Sequence, residues 1–502
     1  MESPKTHTPW LWLLFLTYAT LVFLGLLRHE IWMDEAHHWL IPRDSPSFVA
    51  MLGNLRYEGH PGLWNILLYG LARMSREVWA MQLLHGVIAI GTMYWVLLKS
   101  PFPLWVKALF PFGYFTMFEY ALISRNYALA FLLAFTIVQL IKKEHCSLIN
   151  LAILLALLAN THLLGFCLSL LLLLYVPYKK GHSVLVPVLI YLGGLALAVW
   201  QIIPPGDHPM VTGLDSARLF SWESIKKVML VFNETFLPVH DFQRHHFWHT
   251  NWLETQHINF ARGLSIVLGL LPLWFFRKRP KSWLVFYGMA GAVLLLSALK
   301  GVNYERFHGF LFMTFFLLLW LEYAHLQPFR DSKWRVLFVG GILVGQLLGG
   351  LHAYVQDWRF PFSESENVAT FLQAEAYQGL PVIGGYCFGE PLQAYLPQTL
   401  RYPEQAGESF CRWEIFSESY LKELQTEDYY SRLLRYFMPY ENSQAILVSH
   451  QALDLSEEPL LRTYQAQSYQ LLLRPLPAFT NNLKQMEAYY LYHLEVMSSE
   501  GE

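Results

Sequence analysis

IKKEHCSLINLAILLALLANTHLLGFCLSLLLLLYVPYKKGHSVLVPVLIYLGGLALAVWQII, residues 141 to 203, is the stretch whose reading decides the fold. Its apolar blocks, 146 to 161, 163 to 178 and 183 to 203, are punctuated by the knots Lys142-Lys143 and Lys179-Lys180. Each block has about the length needed to cross roughly 30 Å of hydrocarbon. The same rhythm continues outward on both sides. Further spans are expected at 10 to 27, 79 to 98, 103 to 121, 125 to 141, 259 to 276, 282 to 299, 305 to 322 and 336 to 353. The 502 residues are 54% hydrophobic and 15% charged, and their distribution in blocks excludes one large soluble core. A net charge of -2, with no basic stripe interleaved with aromatics, excludes nucleic acid as an expected partner.

Eleven spans put the chain ends on opposite sides of the bilayer. With Lys5 inside, Lys99, Lys142, Lys143, Lys179, Lys180, Arg277, Lys278, Arg279, Lys281, Arg330, Lys333 and Arg335 all fall on the cytoplasmic side, as the positive-inside bias requires. The run 10 to 27 reads as a retained first span rather than a cleaved signal. Residues 62 to 74 are apolar but too short for comfort as a crossing, so they are expected to lie at the outer interface. The expected organisation is a polytopic α-helical membrane domain over 1 to 355, with external loops at 28 to 77 and 204 to 258. A small α/β extracytoplasmic domain follows over 356 to 502, in an inner (plasma) membrane protein. Within that domain 363 to 376, 390 to 396 and 485 to 496 read as helices, and 381 to 386, 445 to 449 and 469 to 473 as strands. Gly384-Gly385 lacks the rest of a nucleotide-binding fingerprint. Of the four cysteines, Cys146 and Cys167 belong to apolar blocks, while Cys387 and Cys411 would be able to pair in an oxidising compartment.

Polar residues gather where a plain membrane anchor needs none. The first external loop opens with Trp32-Met33-Asp34-Glu35-Ala36-His37-His38-Trp39 and continues to Arg56, Glu58 and His60-Pro61. Two acids and several imidazoles at a membrane surface supply a base, substrate-orienting groups or a hold for a divalent cation; helix capping by Asp34 and Glu35 is the plainer reading. Arg125, Lys300 and Arg306 fall at external span ends, against the charge bias, with Tyr127, Tyr304 and Glu305 beside them. They pair with acids such as Glu119 or Glu305, snorkel to headgroups, or cradle the phosphate of a lipid-linked substrate. The histidines 240, 245, 246, 249 and 257 lack the spacing of a helical zinc motif, so the metal question stays open.

Three segments, Trp32 to Trp39, Gly59-His60-Pro61-Gly62-Leu63-Trp64 and Ser124-Arg125-Asn126-Tyr127-Ala128-Leu129, together resemble the polytopic GT-C glycosyltransferases, in particular the bacterial protein mannosyltransferase and aminoarabinose transferase relatives. Gly62 stands where that family commonly has a second proline. The resemblance covers about 10 to 355. It implies transfer of a sugar from a polyprenyl-phosphate-linked donor, at the non-cytoplasmic face, to a glycolipid, a cell-wall polymer or a protein. Asp34 takes the position of the catalytic base, Glu35 that of its acidic neighbour, and Arg125 a substrate-binding position. Glu35 and His60, with His37 and His38, are expected to organise the loop or the acceptor side, and Arg125 with Lys300 or Arg306 to hold the donor phosphate. No cofactor is implied with certainty; a divalent metal is left open. One base and direct displacement imply inversion at the anomeric carbon. The competing readings are a transporter or flippase of lipid-linked sugars and a non-catalytic membrane assembly protein.

Overall fold

The computed structural model describes residues 8–143, 145–177, 183–203, 221–300, 304–327, 329, 332–385, 388–402, 410, 430–431, 433–434, 444–455, 460–464 and 467–498. The helices run, in chain order, α1 Thr8–Leu26, α2 Met33–Asp44, α3 Phe48–Leu55, α4 Leu63–Ala72, α5 Val78–Tyr94, α6 Leu104–Leu109, α7 Tyr127–Ile141, α8 Leu148–Ala159, α9 Leu163–Leu172 and α10 Leu185–Ile202. They continue with α11 Trp222–Val228, α12 Val231–Phe236, α13 Trp252–Phe276, α14 Pro280–Lys300, α15 Glu305–Leu321, α16 Tyr323–Leu326, α17 Lys333–Arg359, α18 Ser365–Leu372 and α19 Glu390–Tyr395. Among the described residues six helices are at least 18 residues long and apolar enough to cross a membrane: α1, α5 with its π-helical continuation to Lys99, α10, α13, α14 and α17. This is a multi-pass membrane protein.

The expected continuous span at 103 to 121 does not form. α6 gives way to a 3-10 turn at Phe110–Phe112 and a π-helical turn at Tyr114–Glu119. Pro111 lacks the N–H that a continuing helix needs, and the backbone is extended at Gly113, with ψ 161. α17 packs on this broken segment through Gly350. A Cβ there would meet the Phe112 carbonyl oxygen and lie 2.8 Å from the Gly113 carbonyl carbon and 2.9 Å from the Tyr114 nitrogen. Small residues are what let two backbones approach this closely.

The C-terminal region forms a five-stranded sheet in the order β1-β2-β5-β4-β3, with β1 Val382–Gly384, β2 Gln444–Ser449, β3 Leu460–Tyr464, β4 Gln467–Phe479 and β5 Tyr489–Ser498. β1 is parallel to β2 and the other pairs are antiparallel. The three expected strands form, and helices occur at α18 and α19. The expected helix at 485 to 496 is instead β5, the centre of the sheet. Covered on both faces, β5 buries Tyr489, Leu491, Tyr492, Leu494 and Val496, so its sequence shows no clean alternation to mark a strand. The expected Cys387–Cys411 pairing lies outside the described residues.

The sheet region is fastened to the first loop by polar contacts. Met33 N donates to Glu487 Oε1 at 2.8 Å, Ile31 N to the Tyr395 hydroxyl at 3.2 Å, and Arg43 Nη1 to the Ala394 carbonyl at 3.1 Å. The β4–β5 connection also enters the core beneath that loop. Leu483 is buried among the residues of the helical core, and Lys484 N donates to the Phe362 carbonyl at 3.0 Å.

Candidate functional site

Asp34 lies in the first turn of α2, where the helix dipole favours an acid. Its Oδ2 forms ion pairs with Arg125 Nη1 at 2.5 Å and Arg306 Nη1 at 3.0 Å. Arg125 arrives on the turn before α7, and Arg306 on the first turn of α15. Three chain segments separated by up to 272 positions thus meet at one carboxylate. The Asp34 side chain keeps 24% of its surface exposed. Burial alone would raise its pKa, but the guanidiniums of Arg125 and Arg306 more than offset this and hold it well below the usual carboxylate range.

Glu35 faces the other way. Successive helical residues point about 100° apart, and this side chain is 0% exposed. Its Oε2 accepts from Trp32 N at 3.2 Å and pairs with His29 Nε2 at 3.2 Å, while Oε1 accepts from Ser124 N. His29 Nδ1 in turn meets Asp357 Oδ1 at 3.0 Å, linking the exit of α1 to the end of α17. Burial opposes protonation of this imidazole, yet Asp357 and Glu35 raise its pKa well above the ordinary value. Glu35, expected as the acidic neighbour of the base, ties the Asp34 turn to the Arg125 turn.

The imidazoles of the first loop divide into two groups. His37 lies 2.8 Å from both Glu58 and Glu390, joining α2 to the turn after α3 and to α19. Burial lowers its pKa, but the two carboxylates outweigh that and carry it well above the ordinary histidine value. His38 stacks on His60 at 4.8 Å and faces the Asn65 side-chain oxygen at 3.2 Å. Both stay neutral, His60 with its pKa pushed down to about 4, by burial first and by Arg125.

On the far side of Arg306 lies an aromatic wall. Its guanidinium sits 4.4 Å from the Tyr304 ring and 5.4 Å from the Trp32 ring. Trp32 packs edge-on against Trp248, whose indole N–H donates to Glu119 Oε2 at 3.1 Å. The Tyr114 hydroxyl reaches Glu119 and Glu305 at 2.7 Å each. Tyr127 lies 5.7 Å below the Arg125 guanidinium, and Lys300 Nζ lies 6.0 Å from the Phe307 ring. Glu305 therefore faces Tyr114 rather than Arg306. Among the described residues no group of three His, Cys, Asp or Glu side chains has metal-holding geometry. The histidines of the second loop serve other contacts: His246 Nδ1 meets the Leu483 carbonyl at 3.2 Å, and His249 stacks on Trp248.

Crystal structures of ArnT from Cupriavidus metallidurans, bound to undecaprenyl phosphate and in the apo state, align with 97% of this chain and 98% of their own, with TM-scores of 0.50 and 0.51 at 14% and 13% identity. The chain has the ArnT fold. This fold agrees with the resemblance carried by the three sequence motifs. No family model and no curated protein sequence matches the chain.

One residue beside this site gives no sign of itself in the sequence. Lys484, in the β4–β5 connection, places Nζ 4.9 Å from the Trp32 ring and 4.7 Å from the Trp248 ring. Burial lowers its pKa, only partly countered by Glu487 and Asp34. Nothing in its local sequence, Asn482-Leu483-Lys484-Gln485, separates it from an ordinary surface lysine; the buried Leu483 beside it is the only signal.

Proposed function

We propose that the chain is a glycosyltransferase that moves a sugar from a polyprenyl-phosphate-linked donor to an acceptor at the non-cytoplasmic membrane face, with inversion. The observation that carries this reading is the partly exposed Asp34 carboxylate held by two guanidiniums from separate span ends. Likeness in fold to ArnT, one of whose structures is bound to undecaprenyl phosphate, supports it. The acceptor's hydroxyl or amine attacks the anomeric carbon while the bond from that carbon to the phosphate oxygen breaks. Its proton passes to Asp34, and the electron pair leaves on the polyprenyl phosphate. Arg125 and Arg306 hold that phosphate, with Lys300 nearby, because a fixed guanidinium fork suits phosphate oxygens. Glu35 positions Asp34 through the buried contacts described above. His37 fastens the loop, and His38 and His60 offer neutral donors and acceptors beside Arg125.

With the loops 28–77 and 204–258 and the region from 356 onward outside, this site would lie at the outer surface. The positive-inside distribution of lysine and arginine supports that arrangement. The test is release of undecaprenyl phosphate from undecaprenyl-phosphate-linked sugars by the purified protein, in parallel with Asp34→Asn. Release that requires an acceptor and is lost in the variant is expected; equal release by both proteins overturns the assignment.

A further inference from the structure

Lys484 carries an ammonium with three hydrogens to donate. Among the described residues the ammonium itself makes no hydrogen bond and no ion pair; it rests on the faces of Trp32 and Trp248, with the Glu487 and Asp34 carboxylates acting on it at longer range. A half-buried cation in that state is costly unless some other group meets it. Trp32 connects it to the site, since the same indole carries Arg306 at 5.4 Å and Lys484 at 4.9 Å. The backbone fixes the approach: the Leu483 and Lys484 N–H groups bond the Pro361 and Phe362 carbonyls at 2.9 and 3.0 Å, and the Leu483 carbonyl meets His246. Glu487, three residues on, anchors the same connection to Met33, next to Asp34.

We propose that Lys484 is a ligand for the phosphate of the lipid-linked donor, so that the C-terminal region completes the reaction centre in the helical core. This rests on the donor reading above. Charge explains why a third cation belongs there. While the sugar is attached, the phosphate of a monophosphate-linked donor is a diester with one negative charge. Once the bond to the anomeric carbon breaks, it becomes a monoester with roughly 1.5 to 2 negative charges near neutral pH. A cation that Asp34 does not pair with meets the charge that develops during the reaction, and so binds the transition state more strongly than the bound donor.

The experiment uses the full-length protein in detergent with undecaprenyl phosphate as the probe. Lys484→Gln is expected to weaken its binding about 10-fold to 100-fold, the effect of one charge-assisted contact. Lys484→Arg keeps affinity within about threefold of the parent, because it keeps the charge. Parent-like affinity in Lys484→Gln overturns the proposal, and so does equal loss in both variants, which marks a packing role. Should either variant misfold, amine-reactive labelling of the parent decides: protection of Lys484 by undecaprenyl phosphate supports the proposal, and unchanged labelling refutes it. A parent that does not bind undecaprenyl phosphate removes the donor reading itself, and Lys484 with it.

Discussion

Replacing Asp34 by Asn separates two roles that one carboxylate performs. In the free protein Asp34 occupies both guanidiniums, at 2.5 Å and 3.0 Å, so an arriving phosphate must draw them away from it. A hydrogen bond to a charged group contributes about 1.5–3 kcal/mol, and the 24% exposure of Asp34 argues for the lower end. Removing this internal competitor should tighten undecaprenyl phosphate binding about 10-fold. Transfer should fall about 100-fold to 10,000-fold in the same variant, the usual effect of losing a general base. The same exchange reconciles the depressed pKa of Asp34 with a role as base: once a phosphate holds the arginines, the carboxylate is released to accept a proton. Equilibrium binding and single-turnover transfer on the same preparation measure both quantities. A variant that binds undecaprenyl phosphate no more tightly than the parent would refute the competition, whatever becomes of transfer.

Three further expectations concern the scaffold. Glu35→Ala should lower stability by about 3–5 kcal/mol, because it leaves His29 Nε2 and the Trp32 and Ser124 N–H groups buried without a partner, His29 keeping only Asp357; thermal unfolding in detergent measures it, and a parent-like melt contradicts that bracing role. His37 is stabilised in its charged form, so its contribution is fully present below about pH 6.5 and is lost as pH rises through its raised value. The melting-temperature gap between the parent and His37→Gln should therefore narrow from pH 6 toward about pH 9, and a gap that widens over that range contradicts the pairing. Gly350→Leu should cost about 3 kcal/mol or more, because the side chain would enter the backbone of Phe112 to Tyr114; unchanged unfolding would mean that α17 does not rest there.

The membrane architecture was legible because block length and the spacing of lysine pairs are read directly from a chain. Asp34, Arg125 and Arg306 were legible because each stands at the end of a block where a bland anchor has no use for charge. The break at 103 to 121 was harder to read, since the segment is apolar throughout and only Pro111 and Gly113 interrupt it. The inward direction of Glu35 was not legible, because sequence adjacency to Asp34 hides the turn that separates the two side chains. β5 was missed because a strand covered on both faces loses its alternation, and Lys484 because the connection before that strand reads as surface until something packs on it.

The placement of Lys484 also sets an order in time. It follows the helices α2 to α19 in the chain, while the Trp32 ring it covers precedes them, so those helices must be made before the two can meet. A nascent chain would pass through the membrane with Asp34 and both arginines in place but one cation short. Full competence would then wait for synthesis of the β4–β5 connection, and products truncated before it would remain largely silent beside abundant lipid-linked sugar.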